Sequence, residues 1–186
     1  MDYLGLWIVL GIVGVIILWA IATFNRMIVL RNRIDNSWSQ VDVQLRRRYD
    51  LIPNLVETVK GYAAHERETF EEVTKARQAG IDARTVQDQA QAENLITGAL
   101  RRMFAVAEAY PQLRASENFM HLQEELAGTE SKIAYARQFY NDTVLTYHNL
   151  IQAFPPRVIA GMCGFKPRDY FEIEEAEARG PVQVKF

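Results

Sequence analysis

A chain of 186 residues has room for one domain and an appendage, not for two ordinary domains. With 49% hydrophobic and 24% charged residues it fits neither a wholly disordered chain nor a polytopic membrane protein. Lys+Arg 21 against Asp+Glu 23 leaves a net charge of −2, so no overall basic field draws it to nucleic acid, and the single Cys163 excludes an intramolecular disulfide.

The apolar residues are concentrated at the start. Tyr3 to Phe24 reads YLGLWIVLGIVGVIILWAIATF and carries no charged side chain. As a helix this stretch spans about 33 Å, enough for a hydrocarbon core of roughly 30 Å. Tyr3 and Trp7 near one end, and Trp19 and Phe24 near the other, suit the headgroup level of a bilayer. Ala20-Ile21-Ala22 has the look of a signal-peptide cleavage site. The Met-Asp start is acidic where a signal peptide carries Lys or Arg, however, and the apolar run is long, so an uncleaved anchor is the reading preferred. Arg26, Arg31 and Arg33 follow the span directly. The positive-inside rule then puts the N-terminus outside and residues 25–186 in the cytoplasm, a single-pass protein of a cell (inner) membrane. Gly11 and Gly14 are three apart, not four, so the close-packing GxxxG pattern is absent.

Beyond the anchor, apolar positions recur at three and four. Met27, Leu30 and Ile34 are echoed eleven residues later by Trp38, Val41 and Leu45, then by Tyr49, Ile52 and Val56. That period gives about 3.67 residues per turn, a nearly straight helix, and predicts that the anchor runs into its first helix without a linker. Pro53 interrupts the pattern. Either the chain turns at Asp50-Leu51-Ile52-Pro53 with Asp50 as N-cap, or one long helix kinks there; a straight helix from 25 to 78 would be about 80 Å long, which favours the turn. A second helix is predicted over 51–78, ending before Ala79-Gly80. Asp82 or Thr85 caps a third that stops at Tyr110-Pro111. A fourth opens at Ser116-Glu117, with an apolar stripe of Phe119, Leu122, Leu126, Ile133, Phe139, Val144, Tyr147 and Ile151, and ends at Phe154-Pro155-Pro156. The fold class expected is all-α: one transmembrane helix (1–25), an antiparallel, up-and-down four-helix bundle with coiled-coil-like packing (26–153), and a C-terminal extension (154–186).

In the extension, FPPRVIAGMCGF predicts a short helix presenting Val158, Ile159 and Met162 and closed by Gly164. Phe154, Phe165, Tyr170, Phe171 and Phe186 are more aromatics than a disordered tail carries, and are expected to dock on this bundle or on a neighbouring chain.

The stretch NRMIVLRNRIDNSWSQVDVQLRRRYDLIPNLVETVKGYAAHERETFEEVTKAR resembles the signature of LemA family proteins, and FPPRVIAGMCGFKPRDYFEIEEAEARGPVQVKF is similar to that family's closing FP…GF…YF…F pattern. With an anchor in the matching place, the resemblance runs from residue 3 to 186. It implies a bacterial-type membrane protein with one N-terminal span and a cytoplasmic helical bundle, and it supplies no catalytic residue to carry over. Met162-Cys163 stands where a more aliphatic or aromatic pair is usual.

Chemistry-bearing motifs are few. His65-Glu66-Arg67-Glu68 lacks the second His of a zinc-protease motif, position 69 being Thr69. His65, His121, His148 and Cys163 have no structural-zinc spacing, and no P-loop, dinucleotide or nucleophile-elbow pattern occurs, so no cofactor is expected. Arg46-Arg47-Arg48 lies about 33 Å beyond Phe24 along a helix, well outside a Debye length of about 8 Å. It is read either as ordinary solvated charge or as a partner or inter-subunit contact for acidic patches such as Glu66, Glu68, Glu71 and Glu72. Residues 25–60 are net +3 and residues 61–153 net −4, which intramolecular pairing or edge-to-edge packing of copies explains equally well. The expected function is a membrane-anchored, non-enzymatic scaffold that binds the lipid bilayer and forms a homo-oligomer. The alternative is an adaptor or regulator of another membrane protein, for which the family resemblance suggests a membrane-associated peptidase.

Overall fold

The computed structural model describes residues 2–173, Asp2 by its backbone alone. Phe186 lies outside them. The described residues form α1 (Asp2–Lys60), α2 (Arg67–Asp82), α3 (Val86–Ala109), α4 (Pro111–Arg114), α5 (Glu117–Gln152) and α6 (Pro156–Met162), with no strand among them. The described residues are therefore all-helical, as expected. Its residues divide into two units. One holds the chain up to Val41 and Ala136–Asp169; the other holds Asp42–Tyr135 and the described residues from Tyr170 on.

In α1 the eleven-residue recurrence marks the buried face: Met27, Leu30, Ile34, Val41, Leu45, Tyr49, Ile52 and Val56 are all buried. No linker separates the apolar stretch from this face. The turn predicted at Asp50-Pro53 does not occur, because α1 continues through Pro53 to Lys60. Pro53 has no N–H to give the Tyr49 carbonyl, and the Arg77 Nε–H supplies that donor at 2.7 Å. The break falls later, where the N–H groups of Tyr62 and Ala63 both bond to the Val59 carbonyl. α2 accordingly starts at Arg67, not at 51, and passes through Ala79-Gly80 without ending.

Gly80 has a different job from the one its position suggested. A Cβ there would sit 2.6 Å from Tyr49 Oη and 3.1 Å from Ile96 Cδ1, so the missing side chain admits the tyrosine ring. The ring cannot swing away, since its hydroxyl is bonded to Gln89 and Glu93. Overpacking costs about 1–3 kcal/mol, more than the roughly 1 kcal/mol of helix propensity that alanine gains over glycine. Gly80→Ala is therefore expected to lower the melting temperature of the full chain in mild detergent, read by circular dichroism.

α2 and α3 form an antiparallel hairpin: Gln89 reaches the Gly80 carbonyl beside the loop, and Arg102 pairs with Glu72 at the far end. Thr85 caps α3 by accepting the Asp88 N–H at 3.0 Å. α3 meets α5 through Phe104 and Phe119, edge to face at 6.2 Å. α5 buries Phe119, Leu126, Ile133, Val144, Tyr147 and Ile151. Phe139, expected in that stripe, is exposed, and Tyr140 is buried in its stead against Trp38, with ring centroids 5.2 Å apart. α6 ends at Gly164, whose φ of +71° lies in the left-handed region that favours glycine.

Candidate functional site

The first candidate is the apolar half of α1. It is long and apolar enough to cross a bilayer. Every large apolar side chain from Tyr3 to Phe24 is exposed, including Tyr3 at 79%, Trp7 at 70%, Trp19 at 40% and Phe24 at 37%. An exposed apolar row of this length is far beyond a normal surface patch. Directly after it come Arg26, Arg31 and Arg33, all exposed. Two of them lie over aromatic rings, Arg31 at 5.7 Å from the centroid of Phe165 and Arg33 at 5.9 Å from that of Phe139. Phe165 itself meets Phe24 edge to face at 5.6 Å.

The segment that follows α6 is held by α5 and α1. Tyr147 donates its hydroxyl to the Lys166 carbonyl at 3.0 Å, Tyr140 donates to the Asp169 carbonyl at 2.8 Å, and His148 Nε2 accepts the Arg168 N–H at 3.0 Å. The Arg168 guanidinium pairs with Asp35 at 2.9 Å. Burial pushes the Tyr140 phenol up to about 12 and raises that of Tyr147 as well, so both stay protonated donors at neutral pH. Among the aromatics expected to dock, Phe165 is thus engaged within its own unit, and Phe171 is fully buried. Tyr170 is half-buried. Phe154 docks on none of the described residues: following Ala153 at the end of α5, it is 84% exposed.

The second candidate is a buried polar cluster in which Arg48, expected as a partner contact, meets residues from two other helices. Arg48, 4% exposed, donates to Glu93 at 2.9 Å, to Thr97 Oγ1 at 3.1 Å and to Glu130 at 3.1 Å. Tyr49 donates its hydroxyl to the other Glu93 oxygen, and Gln89 donates to the Tyr49 oxygen at 2.6 Å. Arg77 closes the set at the Tyr49 carbonyl. One turn of α1 is thereby tied to α2, α3 and α5. Glu93 is fully buried.

Arg46-Arg47-Arg48 is therefore not a uniform interaction patch. Arg48 is buried in the cluster just described; Arg46 pairs with Asp42 at 2.9 Å and Arg47 with Glu125 at 3.7 Å. Two of the four acidic side chains proposed to meet this run are also engaged nearer home. Glu72 pairs with Arg102 and Glu71 with Lys75, along a shallow depression of about 360 Å³ that Glu68, Ala76 and Leu95 also line. His65 and His121 are exposed, and among the described residues no three His, Cys, Asp or Glu side chains gather as a metal-binding group.

Burial holds the Glu93 carboxyl above its ordinary value of 4.5, against the pull of Arg48 and the Tyr49 hydrogen bond. It raises the Tyr49 phenol too, helped by the charge of Glu93. A carboxyl raised on folding binds its proton more tightly in the folded chain. Its contribution to stability is complete below 4.5 and declines as pH climbs through the raised value. Glu93→Gln is expected to flatten the fall in melting temperature between acid and neutral pH; an unchanged slope would assign that fall to other groups.

Gln89 and Glu93 were legible in principle. They stand at the register of Ile96 and Leu100, a polar pair continuing an apolar row at helical spacing.

Comparison with known proteins gives a consistent answer. The model of the LemA family matches residues 37–186. Magnetosome protein MamQ 2 of Paramagnetospirillum magneticum is 25% identical over 179 residues, and MamQ of Magnetospirillum gryphiswaldense is 24% identical over 179. Both alignments take in 82% of this chain but 66% of the relative, so the chain spans just under two thirds of those proteins. Protein LemA of Metamycoplasma hominis is 25% identical over 158 residues, covering 82% of this chain and 70% of the relative.

Proposed function

The chain belongs to the LemA family, and from that premise we propose that it is a membrane-anchored, non-enzymatic helical protein that assembles laterally as a scaffold. The observation that carries this reading is the bare apolar half of α1, Tyr3 to Phe24, which is continuous with the face bearing the core residues from Met27 onward. In water that surface would be costly; in a bilayer it is solvated. Residues 1–25 are the anchor, 26–153 the bundle and 154–186 a docking tail. Arg26, Arg31 and Arg33 set the orientation, with the N-terminus outside and the rest cytoplasmic. The apolar stretch and the buried face belong to one helix with no linker between them, which suits a protein whose product is an arrangement of copies.

Two further facts favour a scaffold over an enzyme. Arg48 and Glu93, at the centre of the polar cluster, are both buried. The MamQ relatives are named for the magnetosome and not for a reaction. The test is the mass of the full-length protein in mild detergent and in nanodiscs over a range of concentration. Multiples of 21.4 kDa support the scaffold. Monomers at every concentration reject it, and co-purification with one other membrane protein in place of self-contacts turns the reading toward an adaptor.

A further inference from the structure

From the surroundings of α6 we infer that this short helix is a second membrane contact, lying on the anionic headgroup surface beside the anchor. The inference rests on the anchor reading above. Val158 and Met162 stand one turn apart on α6, so they share one row, and they are 54% and 83% exposed, while Phe154, in the turn that precedes α6, is 84% exposed. Ala160 is buried and Ile159 half-buried, so the inner side of α6 is already occupied. What remains outside is an apolar row with no partner among the described residues.

Its place in the unit says what covers it. The Phe165 N–H donates to the Ala160 carbonyl at 3.0 Å, so Phe165 is fixed to the end of α6. The Phe165 ring lies 5.6 Å from that of Phe24, the last residue of the apolar stretch, with Arg31 over its face. α6 is thus joined to the level at which α1 leaves the hydrocarbon. Charge agrees with that position: Arg157 lies on α6 and Lys166 just after it, while Arg168 is already paired with Asp35. Apolar side chains at the headgroup boundary flanked by cations are how a helix lies on an anionic bilayer. A second protein copy would have to bring its own acidic groups to the same place, whereas anionic lipid is already there.

The test places an environment-sensitive fluorophore on the full chain in nanodiscs, at Met162→Cys in a Cys163→Ser background. Val9→Cys in the same background marks the hydrocarbon, and Gln138→Cys, next to the Trp38–Tyr140 pair, marks water. In phosphatidylcholine discs the emission at 162 is expected to be blue-shifted from that at 138, and phosphatidylglycerol to shift it further. Arg157→Gln with Lys166→Gln should abolish that second increment alone. An aqueous spectrum at 162 with a buried label at 9 overturns this inference and leaves the anchor standing. An aqueous label at 9 overturns both. A shift at 162 that ignores lipid charge and follows the number of copies per disc assigns the row to a neighbouring chain, and equally overturns it.

Discussion

Arg48→Ala is expected to destabilise the full chain by about 3–5 kcal/mol, lowering the melting temperature in detergent by on the order of 10 °C. Its neighbours Arg46→Ala and Arg47→Ala should each change stability by less than about 0.5 kcal/mol. The three arginines are consecutive but point about 100° apart on the helix, and only the third faces inward. Removing its guanidinium leaves Glu93 buried with Tyr49 and Gln89 as hydrogen-bond donors but no counter-charge. The exposed pairs of Arg46 with Asp42 and Arg47 with Glu125 are of the kind that contributes little. A double variant, Arg48→Met with Glu93→Leu, should recover part of the loss, because it leaves no orphaned charge, the remainder being the Tyr49 hydroxyl that loses its acceptor. Equal effects at 46, 47 and 48 would mean that the cluster is not what ties α1 to its neighbours.

The second large effect concerns the anchor. The stretch Tyr3–Phe24 contains thirteen Leu, Ile, Val and Phe residues. At about 0.3–0.6 kcal/mol each they favour insertion by roughly 4–8 kcal/mol, while a central arginine costs about 2.5–3.5 kcal/mol. One substitution, Val13→Arg, should therefore leave the chain largely in the membrane, and Val13→Arg with Ile16→Arg should release it. The measurement is the fraction retained after alkaline washing. Full retention of the double variant would show that something other than this stretch holds the protein to the membrane.

Periodicity made much of the molecule legible before its structure. The row from Met27 to Val56 could be read as one buried face because burial in a long helix repeats with the helix itself, and eleven residues close three turns. Thr85 as a cap and Phe154-Pro155-Pro156 as a stop were equally local in origin. The misreadings were places where a local rule met a distant partner. Pro53 breaks helices through a lost hydrogen bond, and here Arg77, twenty-four positions on, replaces it. Gly80 ends helices by default, yet its role is to make room for Tyr49. Arg48 looked like its two neighbours because nothing in a run of three arginines says which will find Glu93. Phe139 and Tyr140 exchanged places for a similar reason: Trp38, from another helix, selects the ring that is buried.

The membrane anchor is tested most directly by the intact mass and first residue of the chain recovered from alkaline-washed membranes and from the exported fraction. The prediction is a single species of 21.4 kDa that retains its apolar start and partitions wholly with the membranes. A shorter chain beginning at Thr23, free in the exported fraction, would contradict it.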